Sequence, residues 1–216
     1  GLTRPELSIV QAYAKIRFTR DLLASDLPDH KALAPWLINY FPAPLRKTYR
    51  AEILNHRLRR EIVATNLSFQ LVNRMGPTFV QKMMNKTGAT AADVAMAWLV
   101  MSESFNLPAL WAEIEMLDGK VPGAAQIRAM LEINRMAERE TAWFLTKLGR
   151  KPDLEKDVKA FRDSIATLEQ NLEDVLTPTR IAEAAARRKN YVADGLPPGL
   201  AQKAAVVTLL GASCDI

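Results

Sequence analysis

Apolar residues recur every three or four positions along most of this chain, which is the period of a helix that buries one face. β-Branched residues nowhere alternate with polar ones over the length of a strand. The pattern therefore predicts an all-α fold, an irregular multi-helix bundle of about eight to ten helices. Caps and breaking residues predict that the shorter helices span about 3–25, 31–40, 77–86, 91–105, 108–117, 177–194 and 198–210.

The longest apolar series in the first half predicts one continuous helix over about 45–74. Its predicted buried stripe consists of Ala51, Leu54, Leu58, Ile62, Thr65, Phe69 and Val72. The first helix has the clearest start, because Thr3 and Glu6 form the spacing of a capping box and Pro5 fits the first turn.

Two long apolar series follow one another in the second half. The first predicts a helix over about 122–148, and the second runs from 154 to 175 with alternating steps of four and three. Their seams are Ile127, Met130, Asn134, Ala137, Thr141, Phe144 and Leu148, and then Leu154, Val158, Phe161, Ile165, Leu168, Leu172 and Val175. Because the link at 149–152 is short, the two helices should form a long antiparallel hairpin over about 122–176.

Composition is that of an ordinary globular protein, with 49% hydrophobic and 25% charged residues among 216. We expect one helical domain over 1–216, with at most a sub-boundary near 149–153. The single Cys214 excludes an internal disulfide and fits a reducing compartment. Since there is also no signal peptide and no apolar run of about 18 residues, we expect a soluble, cytoplasmic protein that does not enter a membrane.

The net charge is +5, from 29 basic and 24 acidic residues. The basic groups at 57–60 and 187–189 are interspersed with Glu52, Glu61 and Glu183. We therefore interpret them as solvated helix faces rather than as the clustered basic surface that nucleic-acid binding requires.

The sequence lacks the residue patterns that catalysis or cofactor binding would need. It contains neither a Gly-x-Gly-x-x-Gly loop nor a Walker loop. Glu52 and His56 are four residues apart and could supply two metal ligands, but the sequence has no second pair with the spacing that would complete a metal site. Cys214 has no base positioned to activate it as a nucleophile. The members of the acid pairs Glu113/Glu115 and Glu138/Glu140 are two residues apart, a spacing that points helical side chains away from each other, so neither pair forms an acid–base dyad by spacing alone. No catalytic, cofactor-binding or metal-binding residue is predicted.

Large apolar side chains admit two interpretations. They could form a groove for a partner, or they could belong to the core, which the helical spacing favours. The residues concerned are Trp36, Trp98, Trp111, Trp143, Met83 and Met84.

Several long strings occur in an order that resembles one known family. They include LTRPEL (2–7), SDLPD (25–29), HRLRREIVAT (56–65) and GPTFV (76–80). Together they resemble the C-terminal region of the large bacterial NAD-specific glutamate dehydrogenases. The resemblance is strong over about 2–148 and continues to the end in the layout of helices and turns.

The resemblance implies a parent enzyme that oxidises L-glutamate with NAD to 2-oxoglutarate and ammonium. In that family the catalytic lysine and the dinucleotide fold lie upstream of the matched stretch. The chain is therefore expected to be a non-catalytic fragment that serves assembly, stability or regulation, with the upstream catalytic domain and neighbouring subunits as partners. The alternatives are a free-standing helical protein-interaction module and, with less support, a nucleic-acid-binding helical domain.

The string at 56–65 supplies the candidate interface residues. Leu58, Ile62 and Thr65 are predicted to face inward. Arg57 and Glu61 have the spacing of an outward i, i+4 pair. Arg59 and Arg60 project from other faces, where they could reach an acidic surface of the catalytic domain or of a neighbouring subunit. Plain solvation is the alternative for both.

Overall fold

The computed structural model describes residues 1–147 and 153–212, and these residues form helices and turns without a strand. The all-α prediction is confirmed. The chain divides into two compact units, Gly1–Met96 and Ala97–Ile216. Within the described ranges, no helix is both long and apolar enough to cross a membrane.

The first unit is built around the contact between its two longest helices, α1 and α5. Phe18 and Leu22 of α1 are buried, as are Leu67 and Leu71 of α5. The Ser68 hydroxyl of α5 donates to a backbone carbonyl of α1 at 2.9 Å. The helices are α1 Arg4–Leu23, the 3-10 helices Leu27–Asp29 and Lys31–Leu33, α2 Ala34–Tyr40, α3 Ala43–Thr48, α4 Arg50–Leu54, α5 Arg59–Met75, α6 Phe79–Thr87 and the start of α7 Ala91–Ser104.

The second unit is organised around its last helix, α13, which contacts four others. Small side chains such as Ala201, Ala204 and Ala205 are fully buried in it and let neighbouring backbones approach closely. Its helices, after the end of α7, are α8 Leu107–Glu115, α9 Gly123–Lys147, α10 Leu154–Gln170, α11 Leu172–Val175, α12 Pro178–Ala193 and α13 Pro198–Ala212, of which α8, α9, α10 and α12 contact α13.

The start of α1 is formed by the predicted capping box, which is confirmed. The amide and the hydroxyl of Thr3 both donate to Glu6 Oε2, each at 2.7 Å. The hydroxyl bond, followed by the amide bond, lowers the pKa of the Glu6 carboxyl. The side chain is fully exposed, so the box supports the first turn without any tertiary contact.

The continuous helix predicted over 45–74 is wrong, because the structure divides it into α3, α4 and α5. The first break is at Tyr49, whose backbone has φ −111° and ψ 31°. The second is the turn at 55–58, where Nδ1 of His56 accepts the Leu58 amide at 3.1 Å. A side chain that takes up a backbone amide in this way competes with the helical hydrogen bond.

The buried stripe predicted for this region is also wrong in register. Leu58 and Phe69 are exposed, although Val72 is buried as predicted. The buried face of α5 lies to one side of the predicted stripe, and the exposed Phe69 ring contacts α1 only through the Lys15 ammonium, which lies 4.7 Å from its centroid. The buried residues of α5 are Val63, Ala64, Leu67, Ser68, Leu71 and Val72.

The seam predicted for α10 agrees with the structure along the helix itself. Leu154 is buried, while Val158, Phe161, Ile165 and Leu168 are partly buried and most other α10 positions are exposed. The seam was predicted to run on to 175, but the helix ends at Gln170.

The seam predicted for α9 is half right. Ala137, Thr141 and Phe144 are buried, but Ile127 is 61% exposed. The reason is that α9 lies along α13, which covers a different side of its first half. That side contributes Ala125, Ala129, Ile133 and Met136 to the core.

The long hairpin over 122–176 stays a prediction. The Phe144 and Phe161 rings of α9 and α10 have centroids 4.6 Å apart, so the two helices do meet. Leu148, the link at 149–152 and most of the suggested sub-boundary lie outside the described residues. The prediction of one domain over 1–216 likewise stays a prediction.

Candidate interaction surface

Arg60 lies at the start of α5 and binds the end of α1. Its Nη2 atom donates to the carbonyls of Leu23 at 2.9 Å and Ser25 at 3.0 Å, and its Nη1 atom forms an ion pair with Asp29. Carbonyls at a helix end carry partial negative charge and lack helical partners. Arg60 therefore stabilises the end of α1, and its side chain is only 32% exposed.

Arg59 shares the same carboxylate but faces outward. Its Nη2 atom lies 3.5 Å from Asp29 Oδ1, and the side chain is 48% exposed. A separation of 3.5 Å is long for a hydrogen bond, so most of the guanidinium's donor capacity faces solvent. Of the two predicted interface residues, Arg59 is placed to contact a partner and Arg60 is held mainly within the unit.

Arg59 and Arg60 belong to a longer basic segment, residues 45–60. It contains six basic residues and one acidic residue, so its net charge of five equals the net charge of the whole chain. The members are Arg46, Lys47, Arg50, Arg57, Arg59 and Arg60, with Glu52 as the acid. The interpretation of these basic groups as solvated helix faces stays a prediction; extending the segment back to 45 adds three cations, and Glu61 directly follows it.

Phe41 brings the two ends of the basic segment together. Arg46 Nε donates to the Phe41 carbonyl at 2.7 Å, and the His56 ring lies 5.5 Å from the Phe41 ring, centroid to centroid. Leu45, Tyr49 and Leu58 are exposed among the cations. An arginine-rich surface with exposed tyrosine and leucine can pair with carboxylates and bury apolar area at the same time.

The other chemistry considered from the sequence has structural explanations. His56 is used in the turn before α5 and in the contact with Phe41. Within 1–147 and 153–212, no group of three potential ligands could hold a metal ion. Arg57 lies before α5 begins, so the helical spacing assumed for its pair with Glu61 does not apply. Cys214 lies outside the described residues.

One member of each acid pair binds a cation of the same unit. Glu113 accepts the Lys203 ammonium at 2.7 and 2.8 Å. Glu140 is fully buried and accepts Arg139 Nε at 3.0 Å. These separate contacts support the interpretation that neither pair is an acid–base dyad.

The interpretation that the large apolar side chains belong to the core is confirmed for those that are buried. Trp98 and Trp111 are buried with stacked rings, and Met83 is also buried. Trp36 and Trp143 are partly covered.

Sequence reasoning missed a polar network in the second unit. The Tyr191 hydroxyl donates to Glu132 Oε2 at 2.6 Å, and Arg187 Nε lies 3.2 Å from the same oxygen. Arg187 Nη1 also donates to the Thr208 hydroxyl at 2.8 Å. Burial, and then the bond to Glu132, raise the pKa of Tyr191 far above its usual value, so the phenol stays protonated. The network joins α9, α12 and α13, and Glu132 and Thr208 are too far in sequence from Arg187 and Tyr191 for a local pattern to indicate it.

A cavity of about 430 Å³ lies between α8, α10 and α13. Its two cations already bind groups of the same unit: Lys203 binds Glu113, and Arg162 donates to the Glu103 carbonyl at 2.6 Å. These contacts reduce the charge that the cavity could offer to a ligand.

Comparison with known proteins gives matches over the whole chain. The family described as "Glutamate dehydrogenase, C-terminal" matches residues 1–216. The chain is 40% identical over 216 residues to the NAD-specific glutamate dehydrogenase of Halomonas elongata, covering 100% of the chain and 13% of that protein. It is 40% identical over 206 residues to the Pseudomonas aeruginosa protein of the same name, covering 95% and 13%. It is 28% identical over 203 residues to that of Mycobacterium tuberculosis, covering 94% and 12%. The chain thus spans a small fraction of the length of each of these relatives.

Proposed function

Because the chain belongs to the glutamate dehydrogenase C-terminal family, we propose that it is a non-catalytic helical region of an NAD-dependent glutamate dehydrogenase. The parent enzyme converts L-glutamate, NAD and water to 2-oxoglutarate, ammonium and NADH. The region binds the catalytic part of the same polypeptide or a neighbouring subunit and so serves assembly, stability or regulation.

The observation that carries this proposal is the basic segment. Its five net positive charges lie on the short helices α3 and α4, the turn that follows them and the start of α5, and Arg57 and Arg59 are exposed. Arginine is enriched in protein interfaces because its planar fork pairs with carboxylates in two-point contacts. The segment therefore suits an acidic protein surface.

A protein partner suits the segment better than a nucleic acid. Leu45, Tyr49 and Leu58 add exposed apolar area, which a protein surface can cover.

The sequence and the described fold support placing NAD outside this chain. A dinucleotide site needs a glycine-rich loop between a strand and a helix. The sequence has no such loop, and the described residues contain no strand to present one. No residue of this chain is therefore assigned to NAD or to the reacting atoms.

Charge reversal in the full-length enzyme tests the role of the segment. Arg57→Glu with Arg59→Glu should weaken assembly, measured by sedimentation. Raising the salt concentration should weaken assembly of the unmodified enzyme and narrow its difference from the variant, because salt screens both attraction and repulsion. Arg188→Glu with Lys189→Glu is the matched control, because both residues are exposed on α12 and the charge change is the same. The proposal would be contradicted if the two double variants assembled equally well, or if the basic segment bound nucleic acid rather than protein.

The non-catalytic role has its own test. Purified 1–216 should give no NADH absorbance with glutamate and NAD. Measurable turnover from homogeneous material would show that the catalytic groups lie in this chain.

A further inference from the structure

Helix α1 is apolar on two opposite faces. Phe18 and Leu22 lie on the face that packs on α5. At about 100° per residue, Ile9, Tyr13 and Ile16 fall on the opposite side. Together with Ala12 they form what we call the outer stripe, residues 9, 12, 13 and 16, which have the spacing i, i+3, i+4, i+7.

The outer stripe is open to solvent. Ile9 is 57% exposed, Tyr13 is 68% exposed and Ile16 is 48% exposed. A helix that packs on one partner normally carries polar residues on its opposite side. Exposed apolar residues at helical spacing instead mark a surface for a second packing partner.

The first turns of α1 are open to solvent as well. All residues from 1 to 10 are exposed, including Leu2 and Leu7. The capping box of Thr3 and Glu6 nevertheless holds the helix start in place. Because the helix is already formed, a partner that covers it does not have to order the backbone first, which favours binding.

We infer that the outer stripe of α1 docks against the polypeptide that precedes α1 in the full-length enzyme. The inference rests on the proposed function, since it takes the chain to be the C-terminal region of a protein whose relatives are far longer. α1 is the first helix of the matched region, so the preceding part is tethered to it. A tether of this kind gives an effective concentration on the order of millimolar.

The small area of the outer stripe favours docking against the preceding part of the same polypeptide over docking against a second copy of the chain. A stable interface between separate proteins covers about 800 Å² on each partner. Four side chains on one helix provide much less than that, whereas a tethered partner needs less area because association is intramolecular. The stripe thus fits an apolar groove on the preceding part, with the helix lying in it.

Photo-crosslinking in the full-length enzyme identifies the occupant directly. Tyr13→p-benzoylphenylalanine keeps an aromatic side chain at the centre of the stripe. After irradiation, we expect a crosslink within one polypeptide, and peptide mass spectrometry should locate it before α1. Ser8→p-benzoylphenylalanine is the control, because Ser8 is exposed but lies off the stripe. A crosslink to a second copy, or the same yield at positions 8 and 13, would overturn the inference.

A charge placed in the stripe gives an independent measurement. Ile9→Asp in the full-length enzyme should raise the rate of proteolytic cleavage around α1 by roughly ten-fold or more, the factor that corresponds to losing the burial of one large side chain. Ser8→Asp, one residue away, should leave the rate unchanged. Equal cleavage rates for the two variants would contradict docking of this face.

Failure of the inference is distinguishable from failure of the proposed function. If 1–216 is inactive and the basic segment is required for assembly, a crosslink elsewhere refutes only the docking of α1. If 1–216 turns over glutamate, the proposed function fails whatever the crosslink shows.

Discussion

Replacing Arg60 with glutamine removes the cation that binds the end of α1 and leaves a side chain too short to reach the same groups. Two carbonyls lose their donor, at Leu23 and Ser25, and Asp29 loses its closer cation. The unfolding free energy of the first unit should fall as a result.

The expected size of the effect follows from the contacts. A hydrogen bond to a charged group contributes about 1.5–3 kcal/mol, and an exposed ion pair contributes about 0–1 kcal/mol. Because the Arg60 side chain is about one third exposed, water replaces part of what is lost. We therefore expect Arg60→Gln to cost roughly 2 kcal/mol.

Urea unfolding of 1–216, followed by circular dichroism, measures the loss, and hydrogen exchange locates it. The amides of Ala24 and Ser25, which donate to α1 carbonyls, should exchange roughly thirty-fold faster if the loss is about 2 kcal/mol. Arg59→Gln is the matched control and should cost at most about 0.5 kcal/mol, since its one long contact is half-exposed. Equal losses for the two variants, or exchange that changes only outside the first unit, would refute the reasoning.

Four further substitutions, one of them a control, test other parts of the structure. Gly211→Ala should destabilise the second unit by about 1–3 kcal/mol, because a Cβ there would come within 2.4 Å of a methionine side chain of α9. A Cβ at Gly199 in the same helix would meet nothing within 4 Å, so thermal unfolding should show Gly199→Ala to be neutral or stabilising. An equal loss of stability at both positions would argue against the close approach at Gly211. Tyr191→Phe should cost about 1 kcal/mol in urea unfolding by removing the hydroxyl bond to α9, and no change would mean that water replaces the bond. Folding lowers the pKa of the Glu6 carboxyl, so this group stabilises the folded chain above its unfolded pKa, and the stabilisation is lost as pH falls through the lower folded pKa. Thr3→Ala removes one of the two hydrogen bonds to this carboxyl and should raise its pKa in an NMR titration. An unchanged pKa would contradict the hydrogen-bond origin of the shift.

Helix ends were the most predictable part of the fold, because they depend on groups close together in sequence. The predicted helices 91–105 and 177–194 correspond to Ala91–Ser104 and Pro178–Ala193. The same holds for the capping box of α1 and for the spacing along α10. Proline, cap residues and apolar period all act within a few positions, so the sequence alone contains the information.

The candidate surface was only partly predictable. Arg59 and Arg60 are adjacent and chemically identical, and sequence reasoning treated them alike. The structure separates them because the 3-10 turn after α1 brings Asp29 and two carbonyls to Arg60, while Arg59 points away. The outer stripe of α1 was not predicted either, since its residues have the same period as a buried face.

By itself, the sequence determined the helical class, the ends of several helices and the family, since each depends on local pattern or on strings of residues. The tertiary structure decided which side of each helix is buried. The period of α9 permits a buried face through Ile127, but Ala125, Ala129 and Ile133 are buried instead. The period of α5 permits a buried face through Phe69, but Leu67 and Leu71 are buried instead. Periodicity defines the spacing of a stripe, but the direction from which the neighbour approaches determines its register.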